Sequence, residues 1–147
     1  MSTLGKSATI MIRRPLIEVF NFVTDPENFT LWQPFVLEAK LTSPKPIRKG
    51  TTYRYTFQAL GSSLETTGVI TTYEPFHSYL YRTTSSPFPI KGGFNFQEID
   101  DFVEVTAFGE ADSGSYFSMA QPIINLMLGR QLKVMLQALK DHLESSG

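Results

Sequence analysis

The sequence predicts an α+β fold: a curved antiparallel sheet of about seven strands wrapped around a long C-terminal helix, with two short helices after the first strand. Three observations predict it. Apolar residues alternate with polar ones, a period of two, from Phe35 to about Asp112. They recur at helical spacing on either side of that stretch. No internal repeat or low-complexity linker divides the chain, and 147 residues suit a single domain over 1–147.

Ala8 to Ile12 reads as a short first strand. Leu16, Val19, Phe20 and Val23 then fall on one helical face, with Pro15 placed for the first helical position, where its missing N–H is no loss. Asp25-Pro26 starts a second, shorter helix over Pro26 to Trp32, with Asp25 accepting from open N–H groups and Pro34 ending it.

In the middle stretch, Tyr53, Tyr55 and Phe57 alternate with Thr52, Arg54, Thr56 and Gln58. Phe94 and Phe96 alternate with Asn95 and Gln97, and Tyr79 and Tyr81 do so more loosely. Threonine pairs and aromatics suit a sheet with one wet face. Turn signals at Ser43-Pro44-Lys45-Pro46, Leu60-Gly61-Ser62-Ser63, Glu74-Pro75, Ser86-Pro87-Phe88-Pro89 and Asp100-Asp101 cut the stretch into about six strands of an antiparallel meander. From Gln121 to Glu144, Ile124, Leu128, Leu132, Met135 or Leu136, Leu139 and Leu143 form one apolar stripe. A helix of about 22 residues spans ~33 Å, enough to cross a curved sheet. A sheet with one apolar face must be covered, and this helix is the only element large enough to do it.

Composition excludes several functions. Net charge is −1, and no basic run exceeds Arg13-Arg14, so the clustered cationic face of a nucleic-acid binder is missing. No run of about 18 apolar residues reads as a transmembrane segment. The N-terminus lacks the apolar stretch of a signal peptide, which makes the cytoplasm the expected location. With no Cys, disulfides, thiol catalysis and cysteine-ligated metals are out. Charged residues make up only 18% of the chain, while Phe and Tyr number 12 and 6.

The words Ile12-Arg13-Arg14-Pro15, Glu18-Val19-Phe20, Asp25-Pro26-Glu27, Trp32-Gln33-Pro34, Lys49-Gly50-Thr51-Thr52-Tyr53-Arg54 and Val69-Ile70-Thr71-Thr72-Tyr73-Glu74-Pro75, with a Gly61-containing hairpin, carry a resemblance. In this order the chain resembles the START-like helix-grip superfamily (SRPBCC), nearest its polyketide cyclase/dehydrase-like branch, from about Ser7 to Leu143. The resemblance is one of apolar and turn positions. It implies a deep cavity for a hydrophobic small molecule or lipid, in some members with catalysis. The superfamily has no universal catalytic motif, so no catalytic residue is carried over.

The candidate ligand-binding residues are Trp32, Tyr53, Tyr55, Phe57, Tyr81, Phe94, Phe96 and Met127. Each has a plainer reading as well. Trp32 reads first as a core anchor closing the second helix on the sheet, and otherwise as a pocket wall. Tyr53 and Tyr55 favour a pocket, because successive hydroxyls in a dry core lack partners. For Tyr79 and Tyr81 the two readings balance. Met119, Ile123 and Met127 read mainly as packing, although a thioether also adapts to ligands. The loop Ser85 to Ile90 is either a lid or a rigid proline turn.

His77 and His142 lack metal-ligand spacing, and no metal or cofactor is expected. Glu65, Glu98, Glu104 and Glu110 read as solvated strand residues, as do Arg54 and Arg82. No Gly-x-Ser-x-Gly or phosphate loop occurs, and Gly92-Gly93 reads as a bend. The expected function is binding of a hydrophobic, lipid-like or aromatic small molecule between sheet and C-terminal helix. The rival is a polyketide cyclase/dehydratase-type enzyme using a pocket Tyr or carboxylate as acid or base. A third reading is an assembly partner that engages another protein, a second copy of itself included, through its helix or an edge strand; a large exposed apolar patch would mark it.

Overall fold

The computed structural model describes residues 6–59, 61–86, 89–111 and 121–145. In chain order these form β1 (Lys6–Ile12), α1 (Leu16–Val23), a 3-10 turn (Pro26–Asn28), α2 (Phe29–Trp32), β2 (Val36–Leu41), β3 (Thr52–Ala59), β4 (Ser62–Glu74), β5 (Ser78–Ser85), β6 (Ile90–Ile99), β7 (Phe102–Ala111) and α3 (Gln121–Ser145). The strands make one antiparallel sheet in the order β1-β7-β6-β5-β4-β3-β2. Six strands meander, and β1 adds to the far edge because α1 and α2 carry the chain across to β2.

Local chemistry sets the entry segment. Pro15 is the cap of α1 and not its first residue: its ψ of 142° is extended, and its carbonyl accepts from Glu18 and Val19. Thr24 ends α1 by giving both its N–H and its hydroxyl to the Phe20 carbonyl. The predicted second helix is split. Asp25 Oδ1 accepts from the Glu27 N–H at 3.0 Å and holds a tight turn, and a single α-helical turn follows. Gln33 closes that turn on the Phe29 carbonyl, and Pro34 cannot extend it.

The sheet curls. Register shifts between Val36 and Glu38, Thr67 and Gly68, and Ile70 and Thr72 bend β2 and the 13-residue β4. Ile12, Phe94, Phe96, Val103, Val105 and Ala107 are buried on the inner face. Helix α3 lies against β1, β7 and α2, burying Leu132, Met135, Leu136, Leu139 and Leu143. Its C-terminal end is tied down: Lys140 Nζ donates to the Met11 carbonyl and to Glu144, and Glu144 accepts from the Arg13 N–H, at 2.8, 2.8 and 2.9 Å. The helix is thus gripped at one end by β1 and its exit.

Candidate functional site

Three strands and one helix bring aromatics to one place. On β3, period-two spacing puts Tyr53, Tyr55 and Phe57 on the inner face, with ring centroids 6.1 and 5.8 Å apart down the strand. On β5, Tyr79 and Tyr81 do the same at 6.4 Å. Phe94 of β6 pairs with Tyr79 across the sheet. From α2, Phe29 points edge-on at Tyr53 and Tyr55, 5.9 and 6.1 Å away. Gly68 of β4 makes room for this packing, since a Cβ there would stand 2.8 Å from the Tyr53 hydroxyl.

Between this wall and α3 lies a cavity of about 80 Å³. Tyr53, Tyr55, Phe57, Tyr81 and Phe94 line it, and Leu128, Gln131, Leu132 and Met135 close it from α3. Gln33, Ser86 and the tyrosine hydroxyls are the polar groups on the sheet side. No Asp, Glu, His, Lys or Arg is among the described lining residues. The hydroxyls of Tyr53, Tyr55 and Tyr81 make no hydrogen bond to described residues, which leaves their donors for whatever occupies the space. The deep cavity implied by the resemblance is narrower than the ~300–1,000 Å³ of ordinary small-molecule sites, because the rings stack along their strands and fill the groove they form.

Burial governs the titration of these groups. It pushes the Tyr81 hydroxyl up to about 12 and holds those of Tyr53, Tyr55 and Tyr79 well above the usual tyrosine range. Neighbouring tyrosines add to the effect for the last three, since ionising one opposes ionising the next. At neutral pH all four are protonated and can donate.

The structure gathers five of the sequence candidates and separates two. Trp32 is buried, with 1% of its surface exposed, and packs on Phe94 without lining the cavity. Phe96 sits further along β6, its ring 5.0 Å from Phe20, in the core under α1. The side chain of Met127, with Met119 and Ile123, lies outside the described residues, as do Pro87 and Phe88 of the candidate lid. Sequence reasoning missed Phe29, Phe35 and Gln33. The one available signal was that a short helix over Pro26 to Trp32 presents Phe29 on the same side as Trp32.

The remaining candidates lie elsewhere. His142 stacks on Phe22 at 5.0 Å, and His77 is exposed in the β4–β5 turn. No group of three potential metal ligands occurs among the described residues. Glu65 is exposed and faces Arg54 at 3.5 Å. A larger groove, about 430 Å³, runs over the outer face of the sheet between Leu80, Arg82, Lys91, Phe108 and Glu110. It is open to solvent and its charged rim is exposed or half-buried, whereas the inner cavity is walled by rings with no charged side chain among its described lining residues; the inner one is the candidate site.

The family model described as "Polyketide cyclase / dehydrase and lipid transport" matches residues 6–144. Among curated proteins no sequence matches the chain. Solved structures share the fold. A START superfamily protein from Mycobacterium smegmatis superposes with a TM-score of 0.83 at 13% identity, covering 97% of this chain and 99% of its own. The Zhui aromatase/cyclase from Streptomyces sp. R1128 gives 0.75 at 12% identity, covering 97% of each chain. The di-domain ARO/CYC BexL gives 0.73 at 21%, covering 94% of this chain and 49% of that one. At these identities the likeness shows the helix-grip fold alone.

Proposed function

This chain belongs to the polyketide cyclase/dehydrase and lipid transport family, and we propose that its function is to bind an uncharged, hydrophobic small molecule between the sheet and α3. The observation that carries the reading is the make-up of the described cavity wall: stacked rings and aliphatic side chains, interrupted among the described residues only by neutral hydrogen-bonding groups. Apolar contact supplies affinity at about 25 cal/mol per Å². Tyrosine hydroxyls and glutamine amides set orientation. A charged ligand would meet no counter-ion among the described lining residues and would lose its hydration on entry. Because the cavity holds about 80 Å³, a ligand of ordinary size enters by displacing rings and α3 side chains.

A cyclase or dehydratase needs a group that moves a proton near neutral pH. The tyrosines are the only titratable residues among the described lining, and their raised pKa values suit donation of hydrogen bonds better than proton abstraction. Binding is therefore the reading the wall supports.

The test is a panel of uncharged aromatic and aliphatic compounds read by thermal shift and by Trp32 fluorescence. A ligand at about 100 times its Kd adds about 2.7 kcal/mol of stability, or about 8 °C for a domain of this size. Trp32 packs on Phe94, which lines the cavity, so binding also changes its emission. A panel that moves neither signal overturns the proposal.

A further inference from the structure

The side chains of Trp32 and Tyr79 are buried, with 1% and 0% of their surface exposed, yet Trp32 Nε1 and Tyr79 Oη have no hydrogen-bond partner among the described residues. Native interiors rarely leave such groups unpaired, and each one calls for an explanation. Both side chains touch the same ring. Phe94 stands 5.6 Å from Trp32 and 5.9 Å from Tyr79, centroid to centroid. Phe94 lines the cavity; Trp32 and Tyr79 do not. Phe94 thus lines the cavity and touches both residues that carry an orphan donor, and an aromatic ring offers such donors at most a weak contact.

The chemistry of these groups selects a partner. The indole N–H donates only. The Tyr79 hydroxyl stays protonated because it is buried, with its neighbours Tyr81 and Tyr55 adding to the effect. Two protonated donors, one of them within the field of the Asp25 carboxylate, which disfavours a second anion, ask for a neutral acceptor oxygen.

We propose that Phe94 is a displaceable ring, and that the space it vacates receives the carbonyl end of an uncharged aromatic ligand, held by Trp32 Nε1 and Tyr79 Oη. The proposal rests on the binding function argued above and names the end of the ligand that enters first. It also accounts for a cavity too small for an aromatic ligand while Phe94 stands in place. The orphan donors hold their bonding capacity in reserve for an acceptor, so a ligand that lacks the oxygen gains nothing from them.

The test compares 2-acetylnaphthalene with 2-ethylnaphthalene, which differ at the carbonyl and little in shape, on the intact chain and on Tyr79→Phe. The variant removes one hydroxyl and keeps the ring, so the fold has no reason to fail. The expected result is that Tyr79→Phe weakens the ketone about tenfold, the loss of one hydrogen bond, and shifts the hydrocarbon less than twofold. The ligand-free variant should melt no lower than the parent, since an unpaired hydroxyl has been removed. Phe94→Leu, a smaller and more mobile side chain, should bind both probes at least as tightly as the parent. Equal effects of Tyr79→Phe on both probes, or none on either, overturn the proposal and leave the cavity reading intact. A lower melting temperature for ligand-free Tyr79→Phe also overturns it, because the hydroxyl then has a partner already, such as a trapped water. Failure of the intact chain to bind either probe overturns this proposal, and the cavity reading falls with it only when the full panel of uncharged compounds also fails.

Discussion

Gly93→Ala tests how tightly the sheet is closed beneath the cavity. A Cβ built on Gly93 would overlap the Tyr79 carbonyl oxygen and stand 2.7 Å from Leu80 Cδ2 and 3.0 Å from Leu80 Cα. The leucine side chain can turn, but the other two contacts are backbone of the neighbouring strand. Gly93 pairs with Leu80, so relief of the overlap requires β5 and β6 to part where their ladder is bonded. Overpacking of a closed interior costs about 1–3 kcal/mol, and stretching one ladder hydrogen bond adds about 1. The sum is about 2–4 kcal/mol, or 6–12 °C at roughly 3 °C per kcal/mol for a chain of this length. Gly129→Ala is the matched control. It lies in α3, and its Cβ would meet nothing nearer than Lys6 Cδ at 3.9 Å. There the substitution should gain about 0.5–1 kcal/mol of helix propensity. The assay is thermal and urea unfolding of both variants against the parent, followed by circular dichroism. A Gly93→Ala protein within 0.5 °C of the parent, or one more stable than Gly129→Ala, would refute the reasoning.

Three further outcomes follow from packing and charge. Leu139, wholly buried on the inner side of α3, should cost about 2–5 kcal/mol on truncation to Ala, read as a fall in the urea midpoint with an unchanged slope. The buried tyrosines have folded pKa values above the unfolded value of about 10. Their contribution is therefore complete below pH 10 and lost as pH rises through the folded values. Unfolding and tyrosinate absorbance should rise together above about pH 10, and Tyr81→Phe should move that limb to higher pH; tyrosinate forming well before the fold is lost would contradict the burial. Glu144, held low by Lys140 and by the Arg13 N–H, contributes stability that is present above the usual carboxylate pKa and lost as pH falls through its lowered value. Glu144→Gln should lower stability at pH 7 by less than about 1 kcal/mol and close that gap on acidification; a constant difference down to pH 2 would count against the tie.

Periodicity made the fold legible almost entirely. The alternation at Tyr53-Tyr55-Phe57 and Phe94-Phe96 matched real inner faces, and the leucine stripe from Leu128 to Leu143 matched the buried side of α3. The Pro26 to Trp32 segment was legible as helical but not as two pieces, since a side-chain cap at Asp25 and a 3-10 start look alike in sequence. The site was only half legible. Period two says that Phe94 and Phe96 share a face, but not that one faces a cavity while the other meets Phe20. That difference depends on where α1 crosses the sheet, which is a long-range fact. The same holds for Phe29, whose role depends on α2 folding back over β3. Nothing in the sequence signals that the Trp32 and Tyr79 donors lack partners.

The ties at the C-terminal end of α3 have an evolutionary consequence. The clamp made by Met11, Arg13, Lys140 and Glu144, together with the wholly buried Leu139, sits at one end of the helix, while Leu128 and Gln131 face the cavity nearer the other. One helix thus divides its labour along its length, and among its described residues Leu128, Leu132 and Met135 serve both tasks. Gln131, half-buried, is free to drift without loosening the grip, and buried Leu128 can exchange for another aliphatic side chain of similar volume. Such a scaffold can change its cargo by a few substitutions in one half of a single helix, and a combinatorial library confined to those two positions samples new ligands at little risk to folding.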